Sequence, residues 1–377
     1  MKAKLDELKR KNLFRELRTV TSSCSGTVKY KGKECIMLAS NNYFGLNVNP
    51  KVISAAKKAV EKYGTGNEAS RLIVNLDIHQ KLEQEIAKYK NCKSAILYSS
   101  GYAANLGIIS SVVGKGDFIL SDELNHASII DGCRLSKAEV KIYRHCDAEH
   151  LEKTLKVLAV KKRKNKEGKI LVVTDSIFSM DGDIAPLKKI IGLKKKYSFI
   201  LMVDDAHSIG VADTNFKEID IHMGTLSKAL GSQGGYCAGS KDLVDYLRNF
   251  SRSFMYSTGL SPSDTAAALE SLKIINTNEK LKSELVKNYT YLRQKLLDFG
   301  FVALGEYQII PIIINDNNKT MLFQKMLENE GIFVTGIRFP TVTSARLRVS
   351  VMATHTKKQL DVALDAFEKV GKKLKVI

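Results

Sequence analysis

Two short runs, KILVVTD (169–175) and FILMVD (199–204), constrain this chain more than any other feature. Each is apolar at nearly every position and ends on an aspartate. A strand with one face in water would alternate; a continuous apolar run of this length fits a strand covered on both faces, as in a mainly parallel sheet. Further apolar runs at 94–98 and 117–121 are separated by segments with helical spacing, among them 50–63, 79–89 and 103–113. Strand–helix alternation predicts an α/β fold with a mainly parallel sheet in a large domain. Helices over 242–252 and 263–276 close that region. Beyond about residue 280 the pattern changes to a long helix (281–299), strands at 308–314 and 346–351, and helices at 320–330 and 357–373, which reads as a smaller α+β C-terminal domain. Ahead of the large domain lie a charged helix over 1–19, with Leu5, Leu8, Leu13 and Leu17 as its apolar positions, and a hairpin over 26–38 around Lys31-Gly32. The expected division is 1–45 for this arm, 46–280 for the large domain and 281–377 for the small one.

Composition narrows the partners. With 44% hydrophobic residues in 377, the chain can bury a substantial core. It carries 59 basic against 40 acidic residues, a net +19, which would suit nucleic acid, a membrane surface or an acidic partner. The basic residues are scattered, however. The densest run, Lys161-Lys162-Arg163-Lys164-Asn165-Lys166, has no interleaved aromatic residues and reads as a solvated helix end and loop, so no nucleic-acid partner is expected. The six cysteines, at 24, 35, 92, 133, 146 and 237, form no C-x-x-C and have no histidine pair at zinc spacing, which predicts reduced thiols, no metal and a cytoplasmic setting. The N-terminus has no apolar signal region, and no apolar run approaches the roughly 18 residues that span a bilayer, so no membrane association is expected.

Sites in parallel α/β sheets gather beyond the carboxyl ends of the strands. Past 199–204 comes Asp204-Asp205-Ala206-His207: a carboxylate there can keep a heterocyclic nitrogen protonated, or simply cap the next element. Past 169–175 lies a hydroxyl-bearing turn, Ser176 to Gly182. Past 94–98, Ser100-Gly101-Tyr102-Ala103-Ala104-Asn105 opens a helix whose free N–H groups suit a phosphate. His126 follows the 117–121 run. Thr225-Leu226-Ser227-Lys228 precedes a glycine-rich turn: the amine of Lys228 can form a Schiff base with an aldehyde cofactor, the two hydroxyls can bind phosphate, and the glycines let backbone pass close by. Each feature taken alone also reads as an ordinary cap, turn or surface side chain.

Their order is more specific. S-G-Y-x-x-N, S-D-x-L-N-H-A-S, F-S-M-D-G, V-D-D-A-H-S-x-G and T-L-S-K-x-L-G resemble the α-oxoamine synthases, over nearly the whole chain from Leu38 onward. The resemblance implies a fold-type I pyridoxal-phosphate-dependent transferase, an acyltransferase acting as a homodimer with a shared active site. It implies that Lys228 holds pyridoxal 5'-phosphate as a Schiff base, that Asp204 pairs with the ring nitrogen, that His207 and Ser179 lie near the ring hydroxyl, and that His126 stacks on the ring. Lys228, His126 and Asp204 are then the catalytic residues. Gly101, Tyr102, Thr225 and Ser227 surround the phosphate, with Ser257 and Thr258 supplied by the other subunit. Asn41 and Arg348 match positions that hold the amino-acid carboxylate, and Arg15 one near the acyl chain.

The family condenses a small amino acid with an acyl thioester and releases carbon dioxide. Gly64-Thr65-Gly66, Ser70-Arg71-Leu72 and the segment from Thr335 to Val342 resemble the member that joins alanine to a pimeloyl thioester in biotin biosynthesis. The stretch from Ser121 to Gly132 is equally similar to the acetyltransferase that uses glycine and acetyl-coenzyme A. The biotin reading is favoured, and the net positive charge leans the same way, since an acyl carrier protein and coenzyme A are both acidic. Two rivals remain: an aminotransferase on the same scaffold, and a non-catalytic basic protein that binds nucleic acid. The sequence departs from the family in a shortened loop, Gly210-Val211-Ala212-Asp213-Thr214-Asn215, in Asn67-Glu68-Ala69, in Asn75 where glycine is common, and in the short bridge Thr343-Ser344.

Overall fold

The computed structural model describes residues 1–11, 13–165 and 168–377; the basic run 161–166 lies outside the described side chains. The chain forms two compact units, Met1–Val48 with Met180–Asp183 and Lys280–Ile377, and Asn49–Ser179 with Ile184–Glu279. The arm expected over 1–45 thus shares a unit with the C-terminal region. The reason is a small sheet: β1 (Thr27–Tyr30) and β2 (Lys33–Met37) make the expected hairpin, and β2 then pairs in parallel with the later strand Ile332–Phe333. The first helix is shorter than expected, Lys2–Arg10, and leaves Leu13 and Leu17 outside it. It buries none of its residues, so no packing extends it. The following chain is instead held by Arg18, which donates to Val334 O at 2.7 Å, Thr335 Oγ1 at 2.8 Å and Glu328 Oε1 at 3.0 Å.

The larger unit holds a sheet of seven strands: β3 (Ser94–Tyr98), β4 (Phe118–Asp122), β5 (Glu139–Tyr143), β6 (Ile170–Asp175), β7 (Ile200–Asp204), β8 (Ile221–Thr225) and β9 (Gly235–Gly239). Their order is β3-β9-β8-β7-β6-β4-β5, parallel throughout except for β9, which runs antiparallel to both β3 and β8. Every residue of β6 is buried. Leu171 and Val173 pack with Ile96, Ile108 and Ile129 on one face; Ile170 and Val172 pack with Leu151, Leu155 and Ile190 on the other. This two-sided cover accounts for the unbroken apolar run. Strands β5, β8 and β9 were not expected. GYCAG and IHMGT contain glycine, which weakens any strand signal, and they form because neighbours on both sides complete their ladders.

In the other unit, β10 (Ile309–Ile313), β12 (Thr335–Ile337) and β13 (Arg346–Ser350) form an antiparallel sheet with β13 central, while β11 (Ile332–Phe333) is the partner of β2. Leu347 and Val349 enter a core with Leu292, Leu296, Phe323, Leu360 and Phe367. The alternate residues Arg346 and Arg348 therefore take the opposite face. No helix among the described residues is long and apolar enough to cross a membrane.

Candidate active site

Because β3, β4, β6, β7 and β8 run the same way, their carboxyl ends meet at one edge of the sheet. A cavity of about 220 Å³ opens there, lined among others by Gly101, Tyr102, His126, Ser179, Asp204, His207, Thr225, Ser227 and Lys228. Nine of the residues singled out in the sequence thus come together in one unit. Lys228 Nζ lies 2.7 Å from His207 Nε2. Asp204 is 4% exposed; its Oδ1 accepts from the Ala206 amide at 2.9 Å and its Oδ2 from Asn105 Nδ2 at 2.8 Å.

The neighbouring Asp205 has a different task. It is fully buried, with Oδ2 at 2.8 Å from Lys90 Nζ and 3.1 Å from His222 Nδ1, and Oδ1 accepting from Ser208 Oγ at 2.9 Å. Burial alone would raise its carboxyl, but the Lys90 charge and His222 outweigh that and hold it well below the ordinary carboxylate range. Of the two adjacent aspartates, only Asp204 lines the cavity. The resemblance had singled out Asp204; the fixed partners of Asp205 give a physical reason for the difference.

Two further side chains in the cavity had been given no role. Asn105, buried on the helix Gly101–Val112, divides its amide hydrogens between Asp204 Oδ2 and Ser128 Oγ, the latter at 2.9 Å. It stands one helical turn beyond Gly101 in S-G-Y-x-x-N, which was the available signal. Asp175, the last residue of β6, accepts from the His126 amide at 3.1 Å. Burial, with the nearby Asp204 charge, pushes its carboxyl well above the usual range. His126 caps the helix Ala127–Ser136: its Nδ1 accepts from the Ser128 amide at 3.2 Å and lies 2.7 Å from Ser128 Oγ. That contact fixes the ring, and burial lowers its affinity for a proton, which favours the neutral imidazole.

The residues expected around a phosphate also lie together. Ser100 caps the helix Gly101–Val112, its hydroxyl accepting from the Ala103 amide at 3.0 Å, and Ser100, Gly101 and Tyr102 line the cavity, which puts the positive end of the helix beside it. Thr225 Oγ1 and Ser227 Oγ are 2.8 Å apart beside it. A Cβ on Gly235 would lie 2.5 Å from Ser100 O and 2.7 Å from Gly101 N, so only glycine lets β9 run this close. Ser257 and Thr258 do not line the cavity of their own chain; Thr258 is bridged to Ser70.

The other unit carries the remaining candidates. Arg348, 6% exposed, donates from Nη1 to Ser350 Oγ at 2.9 Å and from Nη2 to Asn41 Oδ1 at 3.1 Å, so the two residues expected to share a carboxylate are adjacent. Arg15 donates to Thr341 Oγ1 at 2.9 Å, and both line a cavity of about 560 Å³ with Arg338 and Phe339 of the Thr335–Val342 segment. Among the departures from the family, the positive φ (53°) falls on Glu68 rather than Asn75, whose Oδ1 accepts from Arg71 at 2.7 and 3.0 Å. The short loop is tied down by Tyr89, whose OH accepts from the Gly210 amide at 2.9 Å and whose carbonyl accepts from Asn215 Nδ2 at 3.1 Å.

Residues 33–367 match the model of the aminotransferase class I and II family. The chain belongs to the class I and II aminotransferase family. Within it, the chain is 45% identical to an 8-amino-7-oxononanoate synthase of Thermoanaerobacter pseudethanolicus, over all of this chain and 98% of that protein. It is 44% identical to one from Lysinibacillus sphaericus, over 99% and 98% respectively. A serine palmitoyltransferase from S. paucimobilis, solved with a bound PLP–myriocin aldimine, superposes with a TM-score of 0.92 at 30% identity, covering 100% of this chain and 97% of that one. The expected fold type and the resemblance to the α-oxoamine synthases are borne out.

The residues present fit this family's cofactor. An amine, a buried carboxylate to accept from the ring nitrogen, a fixed imidazole and a helix N-terminus flanked by hydroxyls are the groups that suit an aldehyde-bearing pyridine ring with a phosphate. The close approach at Gly235 leaves the phosphate end free of side-chain bulk.

Proposed function

We propose that this chain condenses L-alanine with a pimeloyl thioester, carried by acyl carrier protein or coenzyme A. The products are 8-amino-7-oxononanoate, CO₂ and the free thiol carrier, a step of biotin biosynthesis. The observation that carries this reading is the full-length match to named synthases of that reaction at 44–45% identity. When bound, pyridoxal phosphate supplies an electron sink for the pair left as the α C–H bond of alanine breaks.

The chain's own residues do the rest. Lys228 would hold the cofactor through Nζ and, when that amine is free, would take the α-proton of alanine at the same atom. His207, at 2.7 Å from Nζ, holds the amine in the cavity. Asp204, kept in place by Ala206 and Asn105, presents an acceptor to the ring nitrogen. His126, held by Ser128, offers a neutral ring face. Gly101, Tyr102, Thr225 and Ser227 bind the phosphate. Arg348 and Asn41 hold the alanine carboxylate, and Arg15 the acyl chain. The working protein is a homodimer: a role for Ser257 and Thr258 at the phosphate requires a second copy, since neither lines its own chain's cavity.

The test is a matrix of alanine or glycine against pimeloyl or acetyl thioester, following CO₂ and thiol release. Turnover confined to alanine with pimeloyl thioester supports the proposal. Turnover on glycine with acetyl-coenzyme A assigns the chain to glycine C-acetyltransferase instead. Amino-group exchange without CO₂ release assigns it to the aminotransferases.

A further inference from the structure

A second constellation lies in the same unit as the cavity but lines none of it. His145 Nδ1 is 2.9 Å from Asp122 Oδ1, and His145 Nε2 is 3.7 Å from Cys146 Sγ. A carboxylate only accepts, so Nδ1 carries the hydrogen and Nε2 turns its lone pair toward the thiol. The Asp122 side chain is 1% exposed and the His145 side chain 21%. Asp122 is fixed further by the Leu124 amide on Oδ1 (3.0 Å) and the Cys146 amide on Oδ2 (2.9 Å). The His145 ring stands edge-on to Phe178 at 4.4 Å. Three N–H groups therefore already occupy the Asp122 oxygens, which suits an orienting carboxylate better than a metal ligand.

We infer that Asp122, His145 and Cys146 form a nucleophilic thiol site, at which Cys146 undergoes exchange with low-molecular-weight disulfides. The thiol proton passes to His145 Nε2, and the imidazolium is held by Asp122. The thiolate attacks one sulfur of the disulfide; a Cys146–sulfur bond forms, the original S–S bond breaks, and the departing thiolate takes the proton from His145. One thiol and one disulfide are consumed and one of each is produced, so no further oxidant is needed.

Two other observations support this. Cys146 is partly exposed and holds a φ of 53°, a left-handed conformation that is costly for cysteine and that its surroundings must enforce. The other five thiols, Cys24, Cys35, Cys92, Cys133 and Cys237, are all pushed up by burial and so made less reactive. Opposing the thiolate are the Ile184 carbonyl, 3.7 Å from Sγ, and Glu123, whose Oε2 accepts from the His145 amide at 3.5 Å. Among the described residues, Tyr143, kept as a phenol by burial, the Arg144–Asp147 ion pair at 2.6 Å and Asp175, whose carboxyl feels the Asp122 charge, also stand near. The site also abuts two cavity residues in sequence: Asp122 is four residues before His126, and Phe178 precedes Ser179.

The experiment uses the cofactor-loaded protein. Iodoacetamide labelling is mapped by mass spectrometry from pH 5 to 9, with oxidised glutathione as the disulfide probe in parallel. The inference predicts that at pH 6.5 Cys146 is labelled at least about tenfold faster than any other cysteine, with a rate still appreciable near pH 6. His145→Gln should cut that rate about tenfold at pH 6.5, and oxidised glutathione should add its mass to Cys146 alone. The wild-type pH profile stands without any variant. If Cys146 reacts only as pH rises past about 8, like an ordinary thiol, or if His145→Gln leaves the rate unchanged, the trio is a loop brace and the inference fails.

Discussion

Replacing Asn105 with alanine isolates one link in the account of the cavity. Asn105 Nδ2 donates to Asp204 Oδ2 at 2.8 Å and to Ser128 Oγ at 2.9 Å. A hydrogen bond to a charged group contributes about 1.5–3 kcal/mol, whereas one between neutral groups contributes about 0.5–1.5 kcal/mol. If Asp204 is the partner of the cofactor's ring, loss of the first bond loosens the carboxylate and is felt in cofactor binding. At about 1.4 kcal/mol per factor of ten, Asn105→Ala should weaken cofactor affinity roughly 10- to 150-fold. Ser128→Ala leaves the Asp204 bond intact and removes two contacts between neutral groups, to Asn105 and to His126 Nδ1, while the Ser128 amide still donates to His126; it should cost less than about tenfold. The assay is titration of the apoprotein with pyridoxal phosphate, followed by its visible absorbance, with thermal unfolding as a check that both variants are folded. A loss below about twofold for Asn105→Ala, or an equal loss for Ser128→Ala, would refute the reasoning.

Three other outcomes follow from the geometry. Gly235→Ala forces a Cβ to within 2.5 Å of the Ser100 carbonyl; it should cost about 1–3 kcal/mol or more, lower the melting temperature by several degrees and impair cofactor binding. Gly192→Ala is the contrast: an exposed position in the helix Leu187–Lys196 with no atom within 4 Å of the new Cβ, it should stabilise by up to about 1 kcal/mol in the same melting assay. His355 is buried between the Met352 amide and the Met37 carbonyl, each at 3.0 Å, and burial lowers its pKa from 6.5 to about 4. The unfolded chain therefore binds a proton below pH 6.5 that the folded chain refuses until about pH 4, so stability falls as pH drops through that window, by at most about 3 kcal/mol. Denaturant titrations at pH 7 and pH 4.5 should show a smaller difference in His355→Gln than in the parent.

The sequence carried the large sheet where burial was two-sided, because β6 and β7 had to be apolar at nearly every position. It carried the lining of the cavity because Gly101, His126, Ser179, His207 and Lys228 stand three or four residues past strand ends. It failed where tertiary context replaces local signal. Strand β9 is mostly glycine, alanine and cysteine and exists because β3 and β8 flank it. The N-terminal helix pattern beyond Arg10 was overridden by contacts more than 300 residues away, at Glu328, Val334 and Thr335. Asn105 and Asp175 were passed over because their work is to hold other residues, which no local pattern announces. The residue pattern alone did not separate Asp204 from Asp205; the resemblance chose Asp204, and Lys90 and His222 beside Asp205 supply a physical reason.

The central claim is that Lys228 is the lysine that carries pyridoxal phosphate, and borohydride reduction of the loaded protein followed by peptide mass mapping tests it most directly. The account predicts a phosphopyridoxyl group on Lys228 alone, and none after Lys228→Ala, which should also lose the visible absorbance of the lysine-linked cofactor. Attachment at any other lysine, or an unchanged label in Lys228→Ala, would contradict it.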